Sequence, residues 1–152
     1  MPTFRFRAAA ALDLRRTQEQ KAATELARVE AHFREASEAC EAAERHRAQA
    51  QADQLAQSFR GIDASTLFWH RNWITRLQAT VYDLRTDTRT KADAVETAKR
   101  AWQLARQRFL ALERLRERAV ARHRAETHRQ ELKVIDELAR IRFVMPDGAR
   151  EE

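Results

Sequence analysis

Apolar residues recur at alternating spacings of three and four along two long stretches of this chain. In the first stretch the steps fall on positions 12, 15, 19, 22, 26, 29, 33, 36, 40, 43, 47 and 50. Leu12, Ala22, Leu26, Val29, Phe33, Ala36, Cys40, Ala43 and Ala50 fill nine of those twelve. The second stretch steps through 74, 77, 81, 84, 88, 91, 95, 98, 102, 105, 109, 112, 116 and 119. Ile74, Leu77, Val81, Leu84, Val95, Ala98, Trp102, Ala105, Phe109, Leu112 and Ala119 fill eleven of those fourteen. This period keeps one stripe of a helix apolar. Sustained over six to seven heptads with charge elsewhere, it predicts a coiled coil.

Between the stretches lies SFRGIDAST. Gly61 is the one glycine before residue 148, and no proline occurs between Pro2 and Pro146. A chain so poor in turn residues reverses once. Gly61 can take the left-handed conformation that closes a helix, and Asp63 or Ser65 can cap the next. The predicted fold is all-α, an antiparallel coiled-coil hairpin in a single domain of residues 1–152. Its parts are a helix over about 4–58, a turn over about 59–64, a helix over about 65–143 and a short tail over 144–152.

Folding at the break pairs residue i with about residue 123 minus i. Trp102 then meets Ala22, Leu84 meets Cys40, Val81 meets Ala43 and Ile74 meets Ala50. Large faces small in successive layers, as close interdigitation requires. A parallel coiled-coil dimer would waste that complementarity. The second helix is the longer, and at 1.5 Å per residue it overhangs by on the order of 35 Å. Its overhang carries Leu132, Val134, Ile135, Leu138, Ile141 and Phe143, spread too broadly for one narrow seam. Such residues call for a partner, either the start of the first helix or another protein.

Charged residues make up 34% of the chain and aromatics 7%, a balance that raises intrinsic disorder as an alternative. The sustained register argues against it. Residues 59–112 carry ten basic and five acidic groups and supply most of the net charge of +6. A second basic cluster comprises Arg114, Arg116, Arg118, Arg122, Arg124 and Arg129. Arginine outnumbers lysine 25 to 4, which suits fixed pairing with carboxylates or phosphates. The plain reading of this charge is a solvated, salt-bridged face. The functional one is a surface for an acidic protein, and with no nucleic-acid motif present, nucleic acid is not an expected partner.

Phe59, Phe68, Trp69 and Trp73 crowd the reversal. The plain reading of Phe68 and Trp73 is packing of the tip; the functional one is a docking patch, since so small an interior leaves at least one ring exposed as an anchor for a partner. The five histidines form no metal-ligand pattern; His123 and His128, five apart, splay on a helix. No glycine-rich loop, nucleophile–base pair or cofactor motif occurs, so the sequence predicts neither an enzyme nor a cofactor. Cys40, the lone cysteine, falls in the apolar register as a small core residue. The start shows no signal-peptide pattern and no apolar run approaches the ~20 residues of a membrane span, so the chain is expected in the cytoplasm.

Two segments carry a family resemblance. The opening FRFRAAAALDLRRTQEQKAATELA resembles the start of the flagellar export protein FliJ family. There a short aromatic-basic lead gives way to a leucine-arginine segment and an alanine- and glutamate-rich helix. The closing LERLRERAVARHRAETHRQELKVIDELARIRF is similar to the family's C-terminal stretch, with Asp136-Glu137-Leu138 and an aromatic at Phe143. The opening is richer in alanine than the family pattern, and the middle matches in periodicity alone.

The resemblance implies a stalk-like part of the flagellar type III export apparatus. Such a protein inserts into the export ATPase hexamer, promotes its assembly and links it to the membrane export gate. Contacts with export chaperones are also attributed to the family. By analogy with stalk proteins, the open end would enter the ring, using Arg114, Arg118, Arg122, Arg129, Leu132, Ile135, Leu138, Ile141 and Phe143. The tip at Phe68, Trp69 and Trp73 would face the gate, placing the protein at the cytoplasmic face of the inner membrane. Alternatives are the equivalent stalk of a virulence-type injectisome, a self-associating structural coiled coil, and a basic coiled coil bound to nucleic acid.

Overall fold

The computed structural model describes residues 4–144. Two helices account for nearly all of them, α1 at Ala9–Arg60 and α2 at Ala64–Val144, and no strand occurs among the described residues. The fold is an all-α helical hairpin. The tail expected over 144–152 lies outside the described residues except for the backbone of Val144. The chain divides into two compact units, and both helices contribute to each. Residues 17–106 form one; the described part of the other is residues 4–16 and 107–144.

The reversal follows from three residues. Gly61 has φ of 83°, a left-handed conformation that glycine adopts without penalty, and its N–H donates to Ser58 O at 3.3 Å. Asp63 then caps α2: its Oδ2 accepts from Ser65 N at 3.1 Å and from Thr66 N at 3.3 Å. The Thr66 hydroxyl also donates to its Oδ1. These bonds, the Thr66 hydroxyl foremost, hold the Asp63 carboxyl below the usual aspartate range. Of the two candidate caps it is Asp63, and not Ser65, that does the work.

In the unit of residues 17–106 the two helices run antiparallel. Ile74, Leu77 and Ala50 form one buried cluster, and Val81 is the most enclosed large side chain, 2% exposed. Thr88 donates its hydroxyl to Ala36 O at 3.2 Å and Arg85 pairs with Glu44 at 2.6 Å. These contacts lie close to the predicted pairing. Every apolar residue of the predicted register is buried or half-buried, Cys40 among them.

Three polar residues in that register are accommodated by bonding. Glu19 accepts from the Trp102 indole, Thr88 bonds across to α1, and Lys91 reaches Asp87 at 2.8 Å. Arg47 Nε is buried without a hydrogen-bond partner among the described residues. Arg116 alone of the register positions is exposed.

In the second unit, the chain enters α1 through a turn in which Ala9 N–H donates to Phe6 O at 3.2 Å. Leu12 is its buried anchor, 4% exposed. Phe4 lies against His123 with ring centroids 5.4 Å apart, and the Arg16 guanidinium sits 5.7 Å from the Phe109 ring centroid. Residues 4–16 thereby cover one face of α2, on which Phe109, Leu112, Ala119 and His123 are half-buried.

Candidate protein-docking surfaces

The tip belongs to the unit of residues 17–106. Its interior is filled by Ile62 and Leu67, half-buried, above the Ala50–Ile74–Leu77 cluster. That leaves no room for the rings. Phe59 is 84% exposed, Phe68 64%, Trp69 72% and Trp73 53%. The plain reading of Phe68 and Trp73 as tip packing does not hold: smaller aliphatic residues lie there, and all four rings face outward.

The rings do not share one face. Trp69 and Trp73, four positions apart, project side by side. At roughly 100° per residue, Phe68 points well away from Trp69. Phe59 stands on α1 with exposed Leu55 one turn behind it. Trp73 borders a shallow recess with His46, Asp53 and His70, and His70 Nε2 and Gln57 Oε1 share a hydrogen bond at 2.7 Å.

The other set of predicted residues lies in the second unit, toward the end of α2. Arg114, Arg118, Arg122 and Arg129 are all exposed and fall within an arc of about 80°. Arg129 pairs with Glu126 at 3.8 Å; Arg114, Arg118 and Arg122 have no carboxylate at ion-pair distance among the described residues. This face points away from residues 4–16. Leu132 projects at its edge.

Ile135, Leu138 and Ile141, with Val134, are exposed on nearly the opposite face. There they continue the side of α2 that residues 4–16 cover further back. Phe143, 94% exposed, borders a shallow apolar hollow with Ile135, Leu138, Ala139 and Arg142. The nine predicted residues thus form two surfaces, one cationic and one apolar.

A model of the FliJ family, described as the flagellar FliJ protein, matches residues 8–146 of the 152. The chain belongs to the FliJ family. Membership makes it a flagellar, export-related component and agrees with the family to which both ends of the sequence are similar. No curated protein and no solved structure matches the chain.

Sequence reasoning passed over Leu55 and Tyr82, both exposed. They lie outside the seam, and nothing in the pattern distinguishes them from ordinary surface positions. Phe59 stood out as part of the aromatic crowd but not as its most exposed ring. An open cleft of about 920 Å³ at the start of α1, lined by Arg5, Arg16 and Arg116, was equally unforeseen. Arg5 and Arg116 meet there only because the fold brings them together.

Proposed function

We propose that this protein is the stalk-like component of the flagellar type III export apparatus. It binds the export ATPase ring, promotes the ring's assembly and activity, and couples it to the membrane export gate. It performs no catalysis itself. It works in the cytoplasm, held peripherally at the inner membrane by its partners, and export chaperones are further candidates for its exposed faces.

The observation that carries this reading is the end of α2 in a chain of the FliJ family. Among the described residues nothing covers the apolar face of Ile135, Leu138 and Ile141, and Arg114, Arg118 and Arg122 behind it have no carboxylate at ion-pair distance. Exposed aliphatic residues on a helix are favourable when a sleeve of protein surrounds them, as a ring pore does. The arginines suit carboxylate-bearing loops lining the sleeve. Trp69 and Trp73 provide anchors for the gate. The flagellar description of the matching family favours the flagellar over the injectisome assignment.

The test is to titrate the cognate export ATPase with the purified protein while following ATP hydrolysis and light scattering. Stimulation together with ring assembly is the expected result. The same exposed face also supports self-association. A stable oligomer in sedimentation, with no effect on the ATPase, would favour that structural reading instead.

A further inference from the structure

The closed end of the hairpin exposes apolar surface in several directions at once. Trp69 and Trp73 share one side of α2, Phe68 projects from another, and Phe59 with Leu55 projects from α1. A flat or grooved partner meets one of these directions. A medium that surrounds the tip meets all of them.

The charge around the rings is basic on balance. From Asp53 to Arg76 the basic residues are Arg60, Arg71 and Arg76, and the carboxylates are Asp53 and Asp63. Asp63 accepts from Ser65 and Thr66 as the cap of α2, and Asp53 accepts from Gln49 Nε2 at 2.8 Å. Tryptophan and phenylalanine rings gain most at the headgroup level of a bilayer, where an apolar body and a polar rim are both satisfied. Arginines beside them pair with lipid phosphates. No helix among the described residues is long and apolar enough to cross a membrane, so contact of this kind is peripheral.

We propose that the tip, through Trp69, Trp73, Phe68 and Phe59 with Arg60, Arg71 and Arg76, docks into the headgroup layer of an anionic phospholipid bilayer. This goes beyond the gate contact proposed above and does not depend on it, since the chain alone carries every group required. Two weak signals, apolar insertion and charge attraction, together give stable but reversible anchoring.

The full-length protein would be mixed with vesicles of phosphatidylcholine containing phosphatidylglycerol, and with vesicles of phosphatidylcholine alone. Binding is read by sedimentation and by quenching of indole fluorescence with brominated acyl chains. The expected result is binding to the anionic vesicles that weakens with salt. Arg60→Gln, Arg71→Gln and Arg76→Gln together should weaken it on the order of a hundredfold. Trp69→Ala with Trp73→Ala should weaken it at least about tenfold and abolish the quenching, which leaves Trp102 unaffected. Arg114→Gln, Arg118→Gln and Arg122→Gln should have a much smaller effect. No binding to anionic vesicles at low salt would overturn the proposal. So would binding that survives the tip variants, or binding that requires an added membrane protein, which would assign the tip to a protein partner.

Discussion

The indole Nε1 of Trp102 donates a hydrogen bond to Glu19 Oε1, 3.0 Å away and 83 positions distant in sequence. Arg106 completes the group, 3.7 Å from the same carboxylate and 5.4 Å from the Trp102 ring centroid. A polar residue in an apolar seam is thereby satisfied on two sides, and the pair fixes the register of α1 against α2 at this layer. Trp102→Ala should lower unfolding stability by about 2–4 kcal/mol, through lost packing and the lost indole hydrogen bond. Trp102→Phe keeps most of the packing and should cost about half as much. Equal losses in urea denaturation would show that the ring packing contributes nothing, and no loss in Trp102→Phe would show the same of the hydrogen bond.

Val81 tests the core of the same unit. At 2% exposure it has no route to relaxation by solvent, and Val81→Ala should cost about 1.5–3 kcal/mol. Tyr82, its exposed neighbour, should tolerate alanine within about 0.5 kcal/mol. Thermal or urea melts of the two variants compare them directly, and a larger loss at Tyr82 would mean the seam is misplaced.

The cap at Asp63 carries a pH dependence. Its carboxyl is held below the usual range by the Thr66 hydroxyl and the Thr66 and Ser65 amides, so the folded state favours the ionised form. That stabilisation is present above the ordinary aspartate pKa of about 4 and is lost as pH falls through the lowered folded value. Amide exchange at Ser65 and Thr66 should therefore accelerate, beyond its intrinsic pH trend, at acid pH. Asp63→Asn keeps an acceptor but cannot titrate, and should remove this excess. An unchanged acid profile in the Asn variant would assign the effect to another group.

Because all four rings at the tip face outward, Trp69→Ala with Trp73→Ala should leave helicity and melting temperature nearly unchanged. Circular dichroism measures both. A marked fall in helicity would place these rings in the core.

The seam was legible in the sequence because a coiled coil writes its core at one period, and Leu12, Cys40, Ala50 and Val81 all fall on it. Gly61 and Asp63 were legible for a local reason: a chain with one internal glycine has few places to reverse. Side-chain direction at the tip was not. Whether Phe68 or Leu67 turns inward depends on where α2 begins, and moving its start by one residue swings each ring by roughly 100°. The end of α2 failed the same way: a run of apolar and basic residues does not announce that Ile135 and Arg122 lie on opposite sides. Family membership was carried by the two termini, since the periodic middle is common to many coiled coils.

The most direct test of the proposed function compares the full-length chain with one lacking residues 132–152 in stimulation of the export ATPase. Leu132, Ile135, Leu138 and Ile141 are exposed, so their removal should leave the fold of residues 17–106 intact by circular dichroism. The stalk reading predicts that the shortened protein remains helical and no longer stimulates hydrolysis or ring assembly. Undiminished stimulation by the shortened protein would contradict it.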